Sequence, residues 1–183
     1  GPTIDGKSIT ITSSNPDDPC VVAATVFIGH MFHIENVDSS MILDGITIRN
    51  THWFGFDGAC VPNQRSPDGR NGISLLGGSM QIYNASPTIR NVMFIDCSAG
   101  GGSGSNNCGT GGDGGWAGYG RGGAVGIDSG SSPVFKNCKF IGCYAYGGNG
   151  GNGDTSANTP GHGGTWGDPN GSWVFRFIPE DHD

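Results

Sequence analysis

The chain has 183 residues, of which 36 are glycine and 34% are hydrophobic. It therefore cannot fill a large globular core, and the lack of a G-X-Y period excludes collagen. Its net charge of −7 argues against nucleic-acid binding, which needs a basic surface. The sequence contains no run of 18 apolar residues, so no membrane-spanning helix is predicted.

Short strands are predicted along most of the chain, because apolar and polar residues alternate and β-branched residues are frequent. Helix-type spacing is nearly absent. Long insertions at residues 51–71, 98–121 and 144–171 separate the strands, and their interspersed aromatic residues favour stacked, ordered or semi-ordered loops over disordered linkers. In chain order, the predicted strands are Ile9–Thr12, Val21–Ile28, Phe32–Val37, Ile42–Ile48, Met80–Tyr83, Thr88–Ile95, Ala124–Ile127, Val134–Ile141 and Trp173–Ile178.

One segment occurs three times without gaps, as Ser40–Asn50, Ser86–Asp96 and Ser132–Gly142. Each copy begins 46 residues after the previous one (40, 86, 132). A fixed period of this size predicts a solenoid, in which each repeat stacks on the next.

Residues at equivalent positions of the three copies form a column, in which each residue stacks on the next one strand apart. The alternation of apolar and polar residues places three apolar columns in the interior of this solenoid. In the polar columns between them, Asp44 is expected to form an exposed ion pair with Arg90, and Asn91 to stack on Asn137 in an amide ladder. The predicted core ladder is Leu43, Ile89 and Phe135; Ile46, Val92 and Cys138; and Ile48, Phe94 and Phe140.

The phrases Leu43–Asn50, Ser86–Asn91 and Gly122–Val125 resemble those of right-handed parallel β-helix repeat proteins, the pectin-lyase-like solenoids of large bacterial secreted and surface proteins. The resemblance covers residues 3–145 and implies an all-β, right-handed parallel β-helix of about four to five coils with long glycine-rich loop insertions. We expect a single domain over residues 1–183, with a glycine-rich insertion at 144–171 and a terminal strand at 172–178. The fold implies no particular function, because it hosts lyases, hydrolases, adhesins and fibres.

The repeat register also predicts disulfides. It places Cys97 beside Cys143, at a Cα spacing that allows a bridge, and Cys60 and Cys108 lie in successive insertions and form a second candidate pair. Cys138 falls in an apolar column and is interpreted as a small buried side chain. An even number of cysteines is typical of an oxidising compartment, so an extracellular or cell-surface location is expected.

An enzymatic function would be polysaccharide lysis or hydrolysis, which needs clustered carboxylates. The candidates Asp44, Asp96 and Asp128 fall in different columns, and His52 and His162 are expected in loops without partners. No catalytic residue and no metal site is therefore predicted. No cofactor is expected either, except for weak Ca²⁺ binding by scattered aspartates.

A carbohydrate-binding function would use exposed aromatic residues as a stacking platform. The candidates are Trp53, Phe54, Phe56, Trp116 and Tyr119. The same side chains could instead anchor loops over a narrow core, and both interpretations stay open on the sequence.

The hypothesis favoured by the sequence is an extracellular structural module, in adhesion or in a fibre. The ends of a solenoid expose unpaired strands, which are templates for another chain. The expected partners are a second copy in head-to-tail contact or neighbouring domains, with an extracellular glycan as a further possibility. The predicted assembly ends are Ile9 and Ile11 at one end and Trp173, Phe175 and Phe177 at the other.

Overall fold

The computed structural model describes residues 1–60, 67–128 and 130–154. Within these residues the protein is almost all β, and every pair of strands is parallel. The predicted strand at Trp173–Ile178, the assembly residues within it and His162 lie outside the described residues.

Three large sheets hold most of the strands, and the chain visits them in the same order four times. The first contains β1 (Thr3–Asp5), β4 (Phe32–Glu35), β8 (Met80–Tyr83) and β12 (Val125–Ile127). The second contains β2 (Thr10–Thr12), β5 (Ile42–Asp44), β9 (Thr88–Arg90) and β13 (Val134–Lys136). The third contains β3 (Val26–Ile28), β6 (Thr47–Phe54), β10 (Met93–Gly100), β14 (Lys139–Ile141) and β15 (Tyr144–Tyr146). A small fourth sheet pairs β7 (Leu75–Leu76) with β11 (Gly120–Arg121).

The stacking between successive visits follows the 46-residue register. Ile89 pairs with both Leu43 and Phe135, and Phe94 pairs with Ile48 and Phe140. The ladder residues of the second and third visits are fully buried, and the rings of Phe94 and Phe140 stack with centroids 4.8 Å apart. The fourth-visit members of the ladder are only partly buried: Phe135, Cys138 and Phe140.

Left-handed corner residues divide strands that the alternation predicted as continuous. Gly45 breaks the predicted strand Ile42–Ile48 into β5 and β6, and Asn91 and Asn137 do the same in the next two copies. Glycine and asparagine are the residues that adopt positive φ at least cost. The corner columns, with φ between 45° and 71°, are Gly6, Asn36 and Asn84; Gly45, Asn91 and Asn137; and Gly29, Asn50, Asp96 and Gly142.

Amide ladders join these corners. Asn137 Nδ2 donates to Asn91 Oδ1 at 2.7 Å, and Asn91 Nδ2 donates to Asp44 Oδ1 at 2.9 Å. Asp44 also accepts from Arg90 Nε at 2.8 Å. The expectation of an exposed Asp44–Arg90 pair is wrong in one respect: the Asp44 side chain is only 4% exposed, because the corner amide covers its other oxygen.

The predicted strand Val21–Ile28 is wrong in its first half. Residues Pro19–Ala24 form α1, the one helix among the described residues. Asp18 caps it by accepting the Cys20 N–H at 2.8 Å, and Pro19 occupies the first turn, where its missing donor costs nothing. The helix-favouring effect of the Asp18 cap and of Pro19 is therefore stronger than the strand preference of the β-branched residues. In the part of the chain described here, no helix is long and apolar enough to cross a membrane.

Of the two predicted disulfides, one is present. Cys60 and Cys108 are bonded, with a Cα separation of 5.4 Å, whereas Cys97 and Cys143 are free thiols. Each of these two sulfurs contacts the carbonyl 49 residues before it, so the two side chains point the same way. Their β-carbons then stay about one strand spacing apart, ~4.8 Å, which exceeds the usual ~3.5–4.5 Å of a disulfide.

The glycine-rich insertions form hydrogen-bonded arms that extend from the strands. We number five of them: arm 1 (55–60), arm 2 (67–74), arm 3 (101–108), arm 4 (111–119) and arm 5 (147–154). Their backbone hydrogen bonds recur every third residue. Arm 3 donates to arm 5 through Gly104 and Asn107, and to arm 2 through Gly102, Ser105 and Cys108. Gly101 donates to Tyr146, the last residue of β15. A three-residue repeat is that of the polyproline II conformation, so these segments are ordered without being β-strands.

Glycine is required where the arms touch. A β-carbon on Gly101 would lie 1.9 Å from the carbonyl oxygen of Gly118, and one on Gly104 would lie 2.0 Å from that of Gly115. Residues with larger side chains occupy the arm positions that lie between these close contacts. In arm 2, side-chain oxygens of Asp68, Asn71 and Ser74 accept backbone N–H groups from arm 4.

Candidate ligand-binding groove

A groove of about 680 Å³ opens on the surface formed by arms 1, 3 and 5. Arm 3 lies between the other two and contributes small residues, so it forms the floor. Arms 1 and 5, with the strand ends that lead into them, form the walls. The groove is lined by Phe54, Gly55, Phe56, Asp57, Gly101, Ser103, Tyr146, Gly147, Gly148 and Asn149.

An aromatic row crosses one end of the groove. The strand register places Phe54, Gly100 and Tyr146 side by side on β6, β10 and β15. The rings of Phe54 and Tyr146 lie 6.0 Å apart, and a β-carbon on Gly100 would come within 2.8 Å of both rings. The two rings therefore approach each other above Gly100, because this residue has no side chain between them.

The aromatic surface extends beyond this pair. The Tyr144 ring stacks on Tyr146 at 5.8 Å, and Phe54, Phe56 and Tyr144 are 56%, 79% and 54% exposed. Burial, with a smaller contribution from Tyr144, raises the pKa of Tyr146. Its hydroxyl therefore stays protonated at neutral pH and can donate a hydrogen bond.

A polar row lies three residues further along the arms. It consists of Asp57, Ser103 and Asn149, one from each arm and each 46 residues from the next. Ser103 N donates to Asp57 Oδ1 at 2.6 Å, and Asn149 N donates to Ser103 Oγ at 3.4 Å. The row presents a carboxylate, a hydroxyl and an amide, and Asp57 is the one charged side chain that the described part of the chain contributes to the lining.

The structure divides the predicted aromatic platform. Phe54 and Phe56 line the groove, whereas Trp53 is the neighbour of Phe54 on β6 and points to the other face of the strand. Trp116 and Tyr119 lie on arm 4, outside the lining, and the guanidinium of Arg121 sits 5.1 Å from the Tyr119 ring centre. Tyr146, Asp57, Ser103 and Asn149 were missed, although the 46-residue spacing that relates them was present in the sequence.

The candidate catalytic groups do not converge. Asp44 ends a strand of the second sheet, Asp96 lies within β10 of the third, and Asp128 follows β12 of the first. Among the described residues, no group of three or more His, Cys, Asp or Glu side chains is arranged to hold a metal ion.

The expectation that His52 lies in a loop without a partner is wrong. It lies in β6, and its Nδ1 is 2.8 Å from Ser98 Oγ. A serine beside a histidine is the start of a nucleophile–base pair, but Ser98 is only 1% exposed. The contact therefore joins two strands rather than presenting a hydroxyl to a substrate.

The free thiols of Cys97 and Cys143 form a second cluster of reactive groups. Hydrogen bonding by Cys143, aided by Thr51 and Ser79 and opposed by burial, lowers the pKa of Cys97 to about 6. The same hydrogen bond, together with burial, raises the pKa of Cys143. Cys97 is fully buried and Cys143 partly buried, and neither lines the groove.

No protein-family model, characterised protein or solved structure matches this chain.

Proposed function

We propose that the chain folds as a right-handed parallel β-helix, with four coils in the described residues. Support comes from three parallel sheets visited in one order and from the 46-residue register of their strands. An experimental structure tests the proposal. Left-handed connections between coils, or antiparallel pairing of β5 with β9, would contradict it.

We propose that this β-helix is an extracellular or cell-surface structural module that adheres to carbohydrate through the groove. One observation carries the proposal: the paired rings of Phe54 and Tyr146 stand next to a row of polar side chains on an ordered floor. Sugar rings present apolar C–H faces and hydroxyl groups together. Aromatic surface beside a few well-placed polar groups is the arrangement that binds such amphipathic ligands.

Affinity electrophoresis against soluble extracellular polysaccharides, followed by calorimetry with oligosaccharides, tests this function. Phe54→Ala and Tyr146→Ala should each weaken binding about tenfold or more, equivalent to ~1.4 kcal/mol. Trp116→Ala removes an equally exposed ring outside the groove and should leave affinity unchanged. Equal losses in all three variants, or no binding to any polysaccharide, would reject the proposal.

End-to-end assembly is a second candidate function. Within the described residues, β12, β13 and β14 each pair on one edge, as do β1, β2 and β3 at the opposite end. A second copy stacked along the coil axis would complete both edges.

A proline at Thr12 tests assembly. Ser13 N donates inward to Asp44 O, so the N–H of Thr12, one residue earlier, points to the open edge of β2. Thr12→Pro should leave the fold intact and prevent stacking, as followed by light scattering and electron microscopy at high concentration. If the unmodified protein stays monomeric under these conditions, the assembly hypothesis fails.

A further inference from the structure

The floor of the groove defines the direction in which a ligand lies. Gly101, Gly102 and Gly104 of arm 3 donate their backbone N–H groups to Tyr146, Ile73 and Asn149. The floor is thus engaged in the fold, and the groove walls are left to recognise the ligand. The channel between arms 1 and 5 runs along arm 3, from the aromatic row to the polar row.

The distance between the two rows sets a minimum ligand length. They are three residues apart along each arm, which spans about 9 Å at the ~3.1 Å rise per residue of the polyproline II repeat. This exceeds the length of one pyranose ring. A ligand that contacts both rows is therefore an extended chain of at least two sugars.

The charge of the groove excludes one class of such chains. Among the described residues of the lining Asp57 is the one that is charged, and its Oδ1 already accepts the Ser103 N–H. A uronic-acid or sulfated polymer in the channel would place a negative charge beside this carboxylate, and the described part of the lining holds no cation to compensate for it. The net charge of −7 adds repulsion at long range.

We propose that the groove selects neutral, extended polysaccharides over acidic ones, and that Asp57 is the residue that determines this selectivity. The inference rests on the proposed carbohydrate-binding function and specifies its ligand class. It also predicts that monosaccharides bind at least tenfold more weakly than oligosaccharides of the same sugar, because they reach one row only.

The test compares neutral hexasaccharides (cellulose, xylan and mannan types) with hexamers of galacturonate and of mannuronate. We expect the wild type to bind at least one neutral hexamer ten times or more as tightly as either acidic one. Asp57→Asn keeps an oxygen that can accept the Ser103 N–H, and should raise the ratio of acidic to neutral hexamer affinity at least fivefold. Asp17→Asn makes the same change in charge on an exposed residue of the first coil and should leave this ratio unchanged.

The readout is the acidic-to-neutral affinity ratio, so a general loss of stability in one variant does not imitate the expected result. A ratio that is near one in the wild type, or that Asp57→Asn leaves unchanged, would overturn the assignment of selectivity and leave carbohydrate binding intact. Salt dependence gives an independent measurement: acidic hexamers should bind the wild type more tightly as ionic strength rises, and a fall would overturn the inference. If no hexamer binds, or if Phe54→Ala has no effect, the proposed function itself fails.

Discussion

At the scale of single residues, the corners decide which side chains are tolerated. Within residues 1–60, 67–128 and 130–154, the non-glycine residues with positive φ are all asparagine or aspartate: Asn36, Asn50, Asn84, Asn91, Asp96 and Asn137. Their short polar side chains tolerate the left-handed conformation. Several also form hydrogen bonds along the stack, such as Asn84 Nδ2 to Asn36 Oδ1 at 2.8 Å, so one residue type meets a backbone and a side-chain requirement.

Substitutions at Asn91 separate these two requirements. Asn91→Ala should lower the free energy of unfolding by about 2–4 kcal/mol, since it adds ~1–2 kcal/mol of left-handed strain and removes the amide bonds to Asp44 and Asn137. Asn91→Gly loses the same bonds without the strain, so it should cost about half as much. Urea denaturation measures both values. Equal costs for the two variants would show that the backbone conformation contributes nothing.

The thiol pair predicts a pH dependence of stability. The pKa of Cys97 is lowered to about 6, against about 8.5 for an ordinary thiol. Between these values the unfolded chain binds a proton that the folded chain has released, so stability rises with pH across this window and is lost as pH falls through 6. The raised pKa of Cys143 acts oppositely above about pH 8.5, where the unfolded chain loses the further proton first.

Urea denaturation between pH 5.5 and 10 checks this dependence, with Cys97→Ser as the reference that removes the coupled pair. Subtracting its profile from that of the wild type should leave a maximum near pH 8.5. A flat difference would mean that the two thiols titrate alike in the folded and unfolded chains.

At the scale of elements, the arms show how a glycine-rich segment forms order without a core. Backbone groups of arm 3 bond to four other arms, and this is possible because its glycines let the backbones approach closely. The Cys60–Cys108 bond ties the ends of arms 1 and 3.

Neighbouring glycines should respond differently to alanine. At Gly101 the new β-carbon meets a backbone carbonyl oxygen at 1.9 Å, so Gly101→Ala should destabilise the arms by about 3 kcal/mol or more, the upper range for overpacking. At Gly100 it meets the Phe54 and Tyr146 rings, which can rotate away. Gly100→Ala should therefore keep the arms folded and weaken ligand binding.

Amide hydrogen exchange in arms 3 and 4, combined with ligand titration, distinguishes these two outcomes. Faster exchange is expected in Gly101→Ala alone. If both variants exchange like the wild type, the close approach seen at Gly101 is not needed for arm packing.

At the scale of the whole molecule, the disulfide connects segments that are distant in sequence. It closes a loop of 48 residues, for which chain entropy gives a stabilisation of about 2–4 kcal/mol. The double variant Cys60→Ser/Cys108→Ser should lose this amount in urea denaturation and should show faster hydrogen exchange in arms 1 and 3. Cys20→Ser changes an exposed free cysteine and should have no effect. An unchanged stability in the double variant would mean that the hydrogen bonds between the arms suffice.

The sequence by itself determined the β class, the 46-residue register and the buried columns, including Leu43 on Ile89 and Ile48 on Phe94. These follow from local alternation and from repetition, and both can be read along one chain. Only the tertiary structure decided which cysteines are bonded, which glycines touch backbone, and which of the aromatic residues converge. Tyr146 reaches Phe54 because β10, which ends in a glycine, separates their strands. A contact of this kind depends on the distance between neighbouring backbones and on the direction of each side chain, and neither is written in the residue pattern of a single segment.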